Sequence, residues 1–347
     1  MNNKKFIKHF ILAEDKIKVA IKKLQNLDNK FCLVLGKHKK ILGTVTDGDV
    51  RRGLLKNYTI NDEIRKIYNK KPIIVKKTLS FKQVNNTLKK NNITFLPLVN
   101  KKKNILDIYD FKKRDKVELI KNDMLIMAGG KGLRLRPLTN KTPKPLLLVN
   151  KKPIIEHIII TAKKQGITNF YISINYLGHK IKEYLGDGSK LGVKIKYLEE
   201  KKALGTAGSI SLIKKFDKPI FITNADIISK IDFKEMNSYH NEKKSLITIA
   251  AKVFYEKDNY GRIITSGSVV KRVIEKLEKT ILINAGIYIV DPKIKKFIKN
   301  SEYLDMTDLI SRVLKEKIKI NAFPIHESWL DYGLKKNIKK QKWELIL

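Results

Sequence analysis

Residues 124–127 form an apolar run of strand length that passes without a break into Ala128-Gly129-Gly130-Lys131-Gly132-Leu133-Arg134-Leu135-Arg136-Pro137. A strand that ends in closely spaced glycines leaves few options for the fold around it. Glycine lets the backbone approach a ligand and turn its N–H groups toward an anion. Arg134, Arg136, Lys141 and Lys144 follow, and Pro137, Pro143 and Pro145 stiffen the segment. Basic side chains directly after such a loop suit phosphate, and the carboxyl end of a strand is where βα-type folds hold ligands. The loop has no Gly-Lys-Ser/Thr, so it is not a Walker A loop, and Leu135 stands where the dinucleotide fingerprint needs its third glycine. The alternative is a surface turn that is rich in glycine and lysine.

Beyond the loop, helical and strand periodicities alternate. Residues 153–165 and 181–185 have helical spacing, while 169–174, 193–198, 219–223 and 245–254 read as strands. This alternation predicts an α/β fold with a doubly wound, mostly parallel mixed sheet. Two further segments carry chemistry. Leu204-Gly205-Thr206-Ala207-Gly208-Ser209 offers small residues at a helix start, where a base or ribose can lie against the backbone; a tight helix N-terminus packed on the sheet is the plainer reading. Asn224-Ala225-Asp226 ends a strand with a carboxylate that can hold Mg²⁺ or cap a helix.

Taken in order, these segments resemble those of the sugar-1-phosphate nucleotidyltransferases, the nucleotide-diphosphosugar pyrophosphorylases, over about residues 123–333. The resemblance implies Mg²⁺-dependent transfer of a nucleotidyl group from an NTP to a sugar 1-phosphate. Ala128, Gly129, Gly130, Gly205 and Thr206 would then bind the nucleotide, Arg134 the β- and γ-phosphates, and Lys144 the α-phosphate. Asp226 and the Asp331 of Trp329-Leu330-Asp331-Tyr332-Gly333 would be the metal carboxylates. Gly261, Glu275, Lys276 and Asn284 fall in segments that face the sugar and its phosphate, with Leu277 where the family usually has proline. Glu275-Lys276-Leu277-Glu278-Lys279 also reads as an ordinary charged face, and Asp331 as part of a surface turn. The Thr-Ala-Gly run is closest to guanylyltransferase members, and Glu200 falls where the family faces the base. A carboxylate can accept from both N1–H and the exocyclic amine of guanine, whereas thymine and uracil present one donor between two acceptors. GTP is therefore the expected donor, unless Glu200 merely pairs with Lys201 or Lys202 in solvent.

The N-terminal third shows a tandem pattern at about 60-residue spacing: helix, strand, basic turn, strand, helix start. Residues 17–27, 31–35 and 41–45 form the first copy, with Asp15 as cap and a helix from near Val50; residues 80–89, 95–99 and 105–108 form the second, with Asp110 opening a helix. Gly43-Thr44-Val45-Thr46-Asp47-Gly48-Asp49-Val50 resembles the strand-to-helix segment of CBS (cystathionine-β-synthase) domains, which implies an adenine nucleotide held by Thr46 and Asp49. Helix capping by the same two residues is the alternative. In the second copy Asp107 replaces the threonine and would repel phosphate. The charged stretch 112–116 divides a tandem CBS domain, 1–116, from a catalytic domain, 117–347. This combination resembles the glucosamine-1-phosphate guanylyltransferases of legionaminic acid biosynthesis, with mannose-1-phosphate guanylyltransferase as the alternative and a nucleotide-sensing binding module as the reading of another class. CBS pairs often associate, so a homo-oligomer is expected.

The chain has 74 Lys+Arg against 34 Asp+Glu, a formal charge of +40, which raises a nucleic-acid partner. Lysine outnumbers arginine 65 to 9, however, and is spread through all segments. Base and phosphate readers favour arginine, so no specific nucleic-acid partner is expected. The single cysteine, Cys32, lies in an apolar strand and reads as a buried structural thiol, in keeping with a reducing compartment. Lys8 and His9 interrupt the only apolar run near the N-terminus, and no segment is long enough to span a bilayer. A cytoplasmic location is expected.

Overall fold

A computed structural model of the chain describes residues 3–27, 30–36, 40–76, 79–91, 93, 95–101, 103–110, 120, 122–257, 261–274, 278–334 and 337. Two compact units are present: Met1–Val117 together with Val253–Leu282, and Glu118–Lys252 together with Ile283–Leu347.

The first unit begins with β1 (Phe10–Leu12), α1 (Ile17–Gln25), β2 (Phe31–Leu35), β3 (Ile41–Thr46) and α2 (Asp47–Leu55). The second copy of the pattern follows as α3 (Phe81–Lys90), β4 (Phe95–Val99) and β5 (Ile105–Asp110). Ile17, Ala20, Ile21 and Leu24 make one buried stripe on α1, the i, i+3, i+4, i+7 spacing of an amphipathic helix. β2 is buried on both faces. Cys32 and Val34 join the α1–α2 core, while Phe31, Leu33 and Leu35 pack with Phe95, Val99 and Ile105 of the second copy. Cys32 is fully buried, and burial pushes its thiol up to about 12. One expected boundary is corrected. Lys16, not Asp15, precedes α1, and the Asp15 carboxylate instead accepts from the Leu12 N–H at 2.9 Å. Asp110 closes β5, and the segment where a helix is expected to follow it, like the expected linker 112–116, lies outside the described residues.

The second unit is built on β6 (Met124–Met127), a minor hairpin of β7 (Leu148–Val149) and β8 (Lys152–Pro153), α4 (Ile154–Lys164), β9 (Asn169–Ile174), α5 (Gly178–Leu185), β10 (Lys194–Glu199), α6 (Gly205–Gly208) and β11 (Ile220–Asn224). β12 (Ile227–Ser229), α7 (Phe233–Lys243) and β13 (Ile247–Lys257) follow. After them, β14 (Arg262–Ser266) and β15 (Val269–Ile274) form an antiparallel hairpin within the segment that groups with the first unit. β16 (Glu278–Val290), α8 (Met306–Lys315), β17 (Asn321–Ile325) and β18 (Trp329–Asp331) complete the elements.

Seven strands form the central sheet in the order β10-β9-β6-β11-β16-β13-β17; β10, β9, β6 and β11 pair in parallel, as do β13 and β17, while β16 runs antiparallel to β11. Side chains alternate across it. Met124, Ile126 and Phe221 enter one core, and Leu125, Ile220 and Ile222 enter the other. The chain runs outward from β6 through β9 to β10 and then returns to the far side of β6 as β11. The carboxyl ends of β6 and β11 thus flank the crevice at a topological switch point, where open α/β sheets bind ligands. Among the described residues no helix is long and apolar enough to cross a membrane.

Candidate active site

Parallel register sets the site. Met127 is level with Ser173 of β9 on one side and with Asn224 of β11 on the other. The Ala128 N–H donates to the Ser173 carbonyl at 2.9 Å, and the Ala225 N–H donates to that of Met127 at 3.2 Å. Three strand ends therefore open together into a cleft of about 320 Å³. Of the residues singled out in the sequence, Ala128, Gly129, Gly130, Arg134, Lys144, Glu200, Gly205, Thr206 and Asp226 line it.

Asp226 lies at the end of β11, and the antiparallel pairing of β12 with β18 sets Ile227 opposite Asp331. The Tyr332 N–H donates to the Asp226 carbonyl at 2.8 Å, and the Gly333 N–H to Asp331 Oδ1 at 2.7 Å. The two carboxylates converge on Gly333, where an added Cβ would lie 2.9 Å from both Asp226 Oδ2 and Asp331 Oδ1. Lys144 Nζ donates to Asp226 Oδ2 at 2.5 Å. Burial and the neighbouring Asp226 charge hold the Asp331 carboxyl above its usual range, against the pull of the Gly333 N–H, Lys144 and Arg134. Two hard oxygen donors with a shared approach suit Mg²⁺, which takes one or two carboxylates and fills its shell with phosphate and water. Among the described residues no cluster of three or more His, Cys, Asp or Glu occurs.

Glu200 does not pair with Lys201 or Lys202. Its side chain is buried, Oε1 accepts from the Ser173 hydroxyl at 2.8 Å, and Oε2 accepts from the Leu204 N–H at 3.0 Å. Each oxygen keeps a second lone pair, so the carboxylate is fixed in place and still able to accept. The Glu200 main chain is tied down as well, with its N–H on the Ile174 carbonyl and its carbonyl on Asn175 Nδ2.

The start of α6 is already engaged by protein. Asp305 Oδ1 accepts from the Thr206 N–H at 3.0 Å and from the Thr206 hydroxyl at 3.2 Å. The small residues there serve this packing while Gly205 and Thr206 still face the cleft. Asn284 is exposed on β16, accepts from the Gly286 N–H at 3.0 Å and is not among the cleft-lining residues. Gly261 is exposed just ahead of β14, and Glu275 and Lys276 lie outside the described residues. Ser173, Asn224, Tyr303 and Asp305 also line the cleft, and of these only Asn224 falls in a segment singled out in the sequence, as the neighbour of Asp226. Strand register indicates the first two, since both sit level with Met127. The last two precede α8, in a stretch with no glycine cluster or strand end to mark it.

In the first unit, Thr46 and Asp49 form a capping box. The Asp49 N–H donates to Thr46 Oγ1 at 3.3 Å, and the Thr46 N–H donates to Asp49 Oδ2 at 2.9 Å. Arg52 Nη2 takes the other Asp49 oxygen at 2.5 Å. The helix starts at Asp47, three residues before Val50, because Thr46 can cap it there. Replacing Thr46 by Ala should cost about 1 kcal/mol of stability. Thermal unfolding of the variant reads this directly, and an unchanged midpoint would remove the cap from the account.

The Nucleotidyl transferase family matches residues 123–343. Over 223 residues, 61% of this chain, the sequence is 32% identical to mannose-1-phosphate guanyltransferase 2 of Candida glabrata and 33% identical to mannose-1-phosphate guanyltransferase of Saccharomyces cerevisiae. The chain spans 62% of the length of each of these relatives. Among solved structures, HddC from Yersinia pseudotuberculosis is similar in fold, with a TM-score of 0.51 at 24% identity over 63% of this chain and 97% of that one.

Proposed function

Because the chain belongs to the Nucleotidyl transferase family, we propose that it transfers a guanylyl group from GTP to a sugar 1-phosphate, with mannose 1-phosphate as the acceptor. The convergence of Asp226 and Asp331, with Asp226 and its partner Lys144 lining a glycine-loop cleft, is the observation that carries the reaction class. Glu200, a fixed double acceptor in the same cleft, favours guanine. The expectation of glucosamine 1-phosphate gives way to mannose 1-phosphate, since the relatives just described carry that name. Glucosamine 1-phosphate remains the second reading, favoured by the repeated helix–strand–strand pattern of the first unit and the CBS pair it suggests.

In this reading an oxygen of the sugar phosphate attacks the α-phosphorus in line. The bond to the β-phosphate oxygen breaks, and pyrophosphate leaves with the electron pair. No covalent enzyme intermediate is needed, so the protein supplies position and charge. Arg134 holds the β- and γ-phosphates. Lys144 exchanges Asp226 for the α-phosphate, which its place between loop and carboxylate allows. Asp226 and Asp331 would hold Mg²⁺, whose contribution is to neutralise phosphate charge. Gly261, Glu275, Lys276 and Asn284 are proposed for the sugar phosphate on the family pattern alone, as are Thr46 and Asp49 for an adenine nucleotide, which would first have to open their mutual hydrogen bonds.

The test is pyrophosphate release from ATP, GTP, CTP, UTP and dTTP with mannose, glucosamine and glucose 1-phosphates in the presence of Mg²⁺. Release with GTP and mannose 1-phosphate is expected. Preference for UTP or dTTP would keep the reaction class and sink the guanine assignment, and release with no pair would favour a nucleotide-sensing module.

A further inference from the structure

Tyr303 is an exposed aromatic that is nevertheless held in place. The residue is 62% exposed and lines the cleft along with Glu200, Gly129 and Thr206. Its hydroxyl donates to Asp305 Oδ2 at 3.0 Å, and the other oxygen of that carboxylate takes both the N–H and the hydroxyl of Thr206. The segment around it is stitched to α6. The Leu304 carbonyl accepts from the N–H groups of Ala207 and Gly208 at 2.8 and 3.1 Å, and the Leu304 N–H donates to the Leu204 carbonyl at 2.9 Å. The approach is so close that a Cβ on Gly205, at φ +74°, would come within 2.6 Å of the Leu304 oxygen.

An open ring tied down in this way buries little apolar surface in return for its lost freedom, so its placement contributes little to folding. The same rigidity favours a ligand with a π face, because the ordering cost is met before the ligand arrives. Glu200 lies in the same cleft and can read only the edge of a base, which leaves the faces to other groups. Phosphate offers nothing to an aromatic face, and the basic residues for it, Arg134 and Lys144, come from the glycine-loop segment.

We propose that Tyr303 is the stacking platform for the base of the bound nucleotide, pre-positioned by the chain Thr206–Asp305–Tyr303. This rests on the reading of the cleft as a nucleotide site. Stacking tolerates any base and selects for the presence of one, whereas Glu200 selects which base. Tyr303 thus separates nucleotides from inorganic polyphosphates.

The experiment measures equilibrium binding of GTP and of inorganic tripolyphosphate by calorimetry to the full chain and to its Tyr303→Phe and Tyr303→Ala variants. Stacking of a base on an aromatic is lost at about 1–3 kcal/mol on truncation to alanine, so Tyr303→Ala should weaken GTP about tenfold or more. Tyr303→Phe keeps the ring and should stay within about threefold. Tripolyphosphate has no base and should bind the wild-type chain and both variants alike. Equal GTP affinity in wild type and Tyr303→Ala overturns the proposal and leaves the nucleotide reading standing. Equal weakening of GTP and tripolyphosphate also overturns it, because the change would then be in the fold. If the wild-type chain prefers another nucleotide, the same comparison is made with that one, and only the guanine assignment falls. If it binds none, both readings fall together.

Discussion

Replacing Asp226 by Asn is expected to lower turnover about 100-fold or more, the range found when a group that stabilises transition-state charge is removed. Asn keeps the shape of the side chain, and the Tyr332 N–H bonds to the main-chain oxygen of residue 226, so the link to β18 survives the change. What disappears is one of the two negative charges that converge on Gly333 and the anionic partner of Lys144 at 2.5 Å. Two measurements check this. Steady-state pyrophosphate release with saturating substrates gives the loss in kcat, and titration with Mg²⁺ should show half-maximal activity moved to higher metal concentration. Thermal unfolding should place the midpoint within a few degrees of the wild-type value. Turnover close to wild type would take Asp226 out of the machinery, and Asp331 would then need a different partner for any metal.

Glu200→Gln should turn the base preference of the cleft around. The protein tolerates the amide, because the Ser173 hydroxyl can accept as well as donate. The amide oxygen can keep the Leu204 N–H while the NH₂ donates to Ser173 Oγ, whose hydroxyl proton must then turn to an acceptor other than residue 200. Toward the ligand the change is severe. A carboxylate offers two acceptors to the N1–H and amine of guanine; an amide offers one acceptor and one donor. Losing a charge-assisted hydrogen bond costs about 1.5–3 kcal/mol, so kcat/KM for GTP should fall about 100-fold at most and about tenfold at least. UTP, with one donor beside an acceptor, should lose nothing or gain. The ratio of kcat/KM for GTP over UTP, taken with one sugar 1-phosphate, is the quantity to compare. A ratio that the substitution leaves unchanged would show that Glu200 does not read the base.

Much of this site is legible in the amino-acid sequence. Met124 to Met127 followed by glycines requires a strand that stops at a loop, and that strand is central in the sheet. The alternation over residues 153–254 matches the parallel order, and the apolar stripe of α1 matches its buried face. Where the sequence misleads, the cause is local. Asp15 looks like a cap, but its carboxylate turns back to the Leu12 N–H. Thr46 and Asp49 carry both a ligand pattern and a capping pattern, and the two are indistinguishable in a sequence because each needs a hydroxyl and a carboxylate three residues apart.

The order of residues along the chain makes these groups available: a glycine-rich loop after a strand with Arg134 and Lys144 behind it, carboxylates near strand ends, and an acidic residue just ahead of a small-residue helix start. These are properties of spacing along the chain, and spacing of two to four residues fixes strand, helix and turn. Only the tertiary structure decided which groups meet. Asp226 reaches Asp331 because β12 pairs with β18, Ser173 reaches Glu200 because β9 and β10 are in register, and Asp305 reaches Thr206 across 99 residues because the segment before α8 packs on α6. Such meetings depend on strand order and crossover path, which are set by the burial of the two cores as a whole and leave no mark in any short stretch of sequence.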